Sequence, residues 1–157
     1  MIPSEPPPAS QGRIAAIDFG TVRLGIAVSD SRRTIASPYE NYTRRSPAAD
    51  AERFRRLVAE EGITLFVVGL PVHLDGRESQ KSREARTFGL WLKEATGMPV
   101  ALFDERFTSA EAERVLGAAE LTKKQRKARL DKLAAQIILT SYLESADATA
   151  PPAGLDD

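Results

Sequence analysis

The chain contains no cysteine and only one histidine. The first absence rules out a disulfide framework, a thiol nucleophile and a zinc–thiolate site; the second rules out a metal centre built on several imidazoles. A metal bound here must be held mainly by oxygen, which favours Mg²⁺ or Mn²⁺ over Zn²⁺. No apolar run is long enough to span a bilayer, so no membrane partner is expected. Net charge is also missing: 22 Lys and Arg balance 22 Asp and Glu. An anionic partner therefore has to be sought in local charge patterns. The first twelve residues carry Pro3, Pro6, Pro7 and Pro8 and lack the basic and apolar regions of a signal peptide. A soluble protein of the cytoplasm is expected.

What is present suits one compact domain: 157 residues with 42% hydrophobic content. Residues 1–12 and 146–157 are proline-rich with little to bury, and both are read as disordered tails around a single domain at 13–145. Arg13 to Phe19 is almost continuously apolar, Leu24 to Ser29 follows after a short turn, and Thr34 to Thr43 gives a third strand interrupted by Pro38. Such short turns imply antiparallel hairpins. Ser46 and Pro47 then open a helix that Gly62 closes. Thr64 to Val68 reads as a fully buried strand, Glu78 to Thr96 as a helix ending at Gly97, and Pro99 to Phe103 as a strand. Thr108 or Ser109 caps a further helix, and Lys123 to Leu143 forms the last. A meander followed by βαβα crossovers predicts an α/β fold: a mixed five-stranded sheet with helices on both faces. Ligands of such sheets gather at the carboxyl ends of the parallel strands.

Asp18 stands at such an end, followed by Gly20 and Thr21. An acid there is costly unless it holds a cation or meets water, although an Asp can also simply cap a glycine turn. Asp30 is read as an ordinary turn residue. Asp104 and Glu105 close the last strand, and alternation sends them to opposite faces, without saying which acid turns toward Asp18. Paired with Arg106, Asp104 can equally be a surface ion pair. Asp131 shares a helix face with Ala134, Ala135, Ile138 and Tyr142, so it stands on an apolar stripe and needs a counter-charge, which a metal between sheet and helix would supply; it can equally offset Lys127 and Lys132 at the stripe's edge. Around it cluster Lys123, Lys124, Arg126, Lys127, Arg129 and Lys132, a surface suited to a phosphate backbone. Arg77, Lys81, Arg83 and Arg86 extend that surface more weakly. His73 is read as surface decoration, Gly69 and Pro71 as a tight strand exit, and Asp75-Gly76 as a turn.

Three acids on two strands and a helix is the arrangement of ribonuclease H-like nucleases. Four segments resemble one branch of them, in order: Asp18-Phe19-Gly20-Thr21-Val22-Arg23-Leu24-Gly25-Ile26-Ala27-Val28-Ser29-Asp30; Val68-Gly69-Leu70-Pro71 with Asp75-Gly76; Asp104-Glu105-Arg106-Phe107-Thr108; and Asp131-Lys132 before Ala134-Ala135-Gln136-Ile137-Ile138-Leu139. That branch is the YqgF (RuvX) family of bacterial pre-16S rRNA nucleases, also described as Holliday junction resolvases. The resemblance covers Arg13 to Glu144. It implies catalytic, metal-binding acids at Asp18, Glu105 and Asp131, with Gly20, Thr21, Arg23 and Arg106 in support.

The expected activity is metal-dependent phosphodiester hydrolysis with two Mg²⁺ or Mn²⁺ ions, acting on structured RNA, branched DNA or both. Resolution of a junction would need two sites, hence a homodimer. Two rival readings exist. An Asp-x-Gly-Thr turn between strands also resembles the phosphate hairpin of actin-like ATPases, which need two such domains. A non-catalytic nucleic-acid binder would leave the acids incidental.

Overall fold

A computed structural model describes residues 12–108 and 123–145, and of residues 123–132 the backbone alone. The two tails, apart from Gly12, and the helix expected after Thr108 or Ser109 fall outside the described residues. Strands β1 (Arg13–Asp18), β2 (Arg23–Ser29) and β3 (Ala36–Thr43) form the meander. Then follow α1 (Pro47–Glu61), β4 (Ile63–Leu70), α2 (Gln80–Thr96), β5 (Val100–Asp104), a single 3-10 turn at Glu105–Phe107, and α3 (Lys123–Glu144). The strands lie in the order β3-β2-β1-β4-β5. β1 runs antiparallel to β2 and parallel to β4, and β4 runs parallel to β5. This is the mixed five-stranded sheet expected from the sequence.

Local chemistry fixes the helix ends. Ser46 caps α1 by accepting from the Ala49 amide, Pro47 sits in the first turn, and Gly62 closes the helix in the left-handed conformation at φ 67°. In α2 the cap is Ser79, one residue past the expected start at Glu78. Its hydroxyl accepts from the Ser82 amide while the Ser82 hydroxyl accepts from the Ser79 amide. Pro38 is tolerated because β3 is an edge strand, and the β2–β3 register slips by one residue beside it.

The sheet separates two cores. On one side Ala15, Ile17, Leu24, Ile26, Phe66 and Val68 pack against α1 and α2 through Phe54, Leu57, Ala85, Phe88 and Leu92. On the other, Ile14, Ala16, Ala27, Leu65, Val67 and Ala101 pack against α3 through Ala135, Ile138 and Leu139. The apolar stripe read on α3 is present and runs through Leu139 as well; Ala134 and Tyr142 lie half-buried at its edge. Strand alternation thus has a definite phase: even-numbered positions of β1, and odd-numbered positions of β2, β4 and β5, face α3. No helix among the described residues is long and apolar enough to cross a membrane.

Candidate active site

Asp18 ends β1 in phase with Ile14 and Ala16 and so belongs to the α3 face. Its cross-strand partner on β2 is Gly25. On the β4 side Ile17 pairs with Val68, which brings Gly69 to the position beside Asp18, about 4.8 Å away by ordinary strand spacing. The carboxylate is therefore flanked by two residues without side chains. The sequence suggested a tight strand exit at Gly69, and the structure corrects this: β4 continues to Leu70, and Gly69 lies inside the strand. Its absent side chain matters for another reason. A Cβ there would lie 2.7 Å from Ile138 Cδ1 and 3.2 Å from both Cγ and Cδ of Glu105. Glu105 is thus folded back over Gly69, on the same face as Asp18 and against α3.

The alternation that left Asp104 and Glu105 open is resolved by packing. Ala101 and Phe103 face α3, so the next position in phase is Glu105, while Asp104 turns away. Asp104 is engaged by Arg106, whose guanidinium donates to it at 2.6 Å and whose amide donates at 2.9 Å. That pairing holds the Asp104 carboxyl below its usual range. It also means that Arg106, expected in support of the acids, serves Asp104 and the Leu74 carbonyl (3.3 Å). Glu105 behaves oppositely. Burial pushes its pKa up, the Lys81 charge pulls it partly back, and Asp104 adds to the rise. Among the described residues no hydrogen-bond donor meets its carboxylate.

At Gly20 a Cβ would sit 2.4 Å from the Arg23 carbonyl, so the turn after Asp18 admits only glycine there. Thr21 is exposed, and Arg23 opens β2 opposite Thr43. Asp30 accepts from the amides of Thr34 and Ile35 and from the Thr34 hydroxyl, as a turn residue does. His73 closes a turn with Gly76 and Arg77. Asp131 lies in α3, one turn before the buried Ala135. Its side chain, and those of Lys123, Lys124, Arg126, Lys127, Arg129 and Lys132, fall outside the described residues. Among the described residues no three His, Asp or Glu side chains converge as a metal cluster. The sequence marks Lys81, at the start of α2, only as a weak extension of the basic surface; its field at Glu105 is a feature of the fold.

The donor set fits the divalent cations expected from the sequence. It is all oxygen, it comes from the end of β1 and the turn after β5 on one sheet face, and Gly69 leaves room that a single methyl group would fill. A cation would also offset the cost of ionising the desolvated Glu105.

Comparison with known proteins decides the family. Residues 12–145 match the family model described as RuvX, Holliday junction resolvase. The chain belongs to the RuvX family. A RuvX relative from Rhodopirellula baltica, named pre-16S rRNA nuclease, is 48% identical over 85% of this chain and 78% of its own length. One of the same name from Koribacter versatilis is 41% identical over 88% of this chain and 90% of its own. Among solved structures, Thermus thermophilus RuvC in complex with a Holliday junction substrate aligns with 90% of this chain and 99% of its own, at a TM-score of 0.55 and 15% identity. That likeness shows the shared ribonuclease H-like fold of RuvX and RuvC.

Proposed function

We propose that this RuvX chain is a cytoplasmic, metal-dependent nuclease that hydrolyses phosphodiester bonds at a site formed by Asp18, Glu105 and Asp131. The observation that carries the reading is the convergence of Asp18 and Glu105 on one sheet face over Gly69. The names of the RuvX relatives support the activity class and point to pre-16S rRNA or a four-way junction as substrate.

The carboxylates of Asp18, Glu105 and Asp131 would supply the oxygen donors and negative charge for two Mg²⁺ or Mn²⁺ ions. When bound, such ions lower the pKa of an attacking water and stabilise charge on the leaving 3′-oxygen. Asp18 is held by a turn whose geometry demands Gly20, which fixes its position for that task. The Ile138 side chain, against Gly69, keeps one wall of the site apolar and strengthens the electrostatics inside it. The basic residues from Lys123 to Lys132 and Lys81 would hold the phosphate backbone in line. Symmetric cutting of a junction calls for two such sites and hence a homodimer, read out as a dimer mass in solution.

The test uses labelled single-stranded RNA and a four-way DNA junction with Mn²⁺, with and without EDTA. Wild-type protein is expected to cut one or both only with metal. Asp18→Asn should lower cleavage about a thousandfold or more, equivalent to about 4 kcal/mol of lost charge stabilisation, while folding and nucleic-acid binding persist. Undiminished cleavage by that variant would overturn the assignment. Binding by wild type without any cutting would favour the non-catalytic reading.

A further inference from the structure

Behind the Asp18 turn, on the α1/α2 side of the sheet, lies an open cleft of about 530 Å³ that the proposed chemistry does not use. Its floor is aromatic. Phe88 and Trp91 stack with ring centroids 5.6 Å apart and planes 30° from parallel, and Phe19 lies 5.3 Å from Phe88. Over this floor stands Arg44, its guanidinium carbon 5.4 Å from the Phe19 ring centre and 5.7 Å from that of Phe88. Arg44 also donates to the Gly20 carbonyl at 3.3 Å, so the cleft and the acid site share one turn. Asp50 lines the cleft too; its carboxylate accepts from the Tyr42 hydroxyl at 2.6 Å and the Arg45 amide at 2.9 Å and lies 3.8 Å from Arg44 Nε, an ion pair that holds the arginine over the floor. At the rim the Gln80 amide donates to Glu84 at 3.3 Å, and Arg83 stands beside them.

We propose that this cleft is a subsite for one unpaired nucleotide of the substrate strand, its base on the Phe88–Trp91 floor and its phosphate toward Arg44 and Arg83. The inference rests on the nucleic-acid reading above and adds a place for a base. Aromatic faces and guanidinium planes are what splayed-out bases stack on; Arg83 offers a phosphate an exposed positive charge, and Arg44, steadied by Asp50, offers a guanidinium held over the rings. Gln80 and Glu84 offer an amide and a carboxylate to the polar edge of the base. The volume suits a ligand of this size. A paired base, locked in its helix, could not enter, so the subsite selects single-stranded or frayed nucleic acid. Phe19 immediately follows Asp18 in the chain, so the cleft opens on the far side of the turn that carries the acid.

Trp91 is the chain's one tryptophan, so its emission reads the cleft directly. The full chain is titrated in EDTA, where no cutting occurs, with a short single-stranded RNA, the same sequence as a duplex, and 5′-GMP and 5′-AMP. The single strand is expected to quench Trp91 saturably and the duplex not. Thr87→Phe, which fills the cleft from an exposed position of α2, and Arg83→Ala should each weaken the single-strand midpoint about tenfold with circular dichroism and Tm unchanged. Asp18→Asn should leave the quench as it is. Absence of quenching by the single strand, quenching untouched by Thr87→Phe, or quenching by the mononucleotides alone would overturn the proposal. So would a change in emission on diluting the protein without nucleic acid, which would mean that a second copy fills the cleft. These outcomes leave metal-dependent cleavage unaffected, so the subsite and the nuclease reading fail separately.

Discussion

The two faces of the sheet are built from different residues for different ends. Against α1 and α2 the sheet presents Phe19, Leu24, Ile26, Phe66 and Val68, and Phe54 sits among the rings of Tyr42, Phe66, Phe88 and Trp91. Against α3 it presents Ala16, Ala27 and Ala101, and beside Asp18 the side chains vanish altogether at Gly25 and Gly69. Large rings bury much apolar area and carry stability. Small residues forgo that area and leave room for carboxylates. Large rings and acids are thus divided between two sides of the same strands, one residue out of phase.

Phe54→Ala attacks the first face. The side chain is fully buried, so its truncation should cost about 3–5 kcal/mol in urea unfolding while the folded fraction keeps its specific cleavage activity. A parallel collapse of activity would show that the faces are not independent. Glu105→Gln attacks the second face. Cleavage should fall about a hundredfold or more, from loss of a charge at the reacting centre, whereas Asp104→Asn should stay near wild type. Equal losses from the two variants would break the phase assigned to β5. Gly69→Ala sharpens the contrast further. Its methyl would press on Ile138 and Glu105, so a stability loss of about 1–3 kcal/mol should accompany reduced cleavage.

The smallest effect concerns pH. Burial raises the Glu105 pKa in the folded chain, so its contribution to stability is complete below the ordinary glutamate pKa and is lost as pH rises through the raised native value. With metal chelated, Glu105→Gln should therefore raise Tm slightly at neutral pH and leave it unchanged near about pH 4, just below the ordinary glutamate range. A fall in Tm at neutral pH would show that the Lys81 charge outweighs burial at Glu105.

Much of this was legible in the chain. The hairpins, the Ser46 cap, the Gly62 and Gly97 stops and the burial of β1 and β4 follow from local pattern, and each is observed. Asp18 was conspicuous because an acid ending an apolar strand is expensive. The role of Gly69 was not legible, since a glycine between two apolar residues reads the same whether it ends a strand or clears space beneath a neighbour. Nor was the influence of Lys81 on Glu105, because the two meet only through the crossover from β4 to β5.

The sequence alone determined the order and kind of the elements among the described residues, the mainly oxygen character of any metal site and the exclusion of thiol and multi-histidine chemistry. These depend on residue type and short-range period. Tertiary structure decided which side each period faces: that Glu105 and not Asp104 turns onto the face of Asp18, and that Phe19 carries the same turn through to an aromatic cleft. Alternation along a strand is a local property. Its absolute phase exists only once one face has been packed against α3 and the other against α1 and α2.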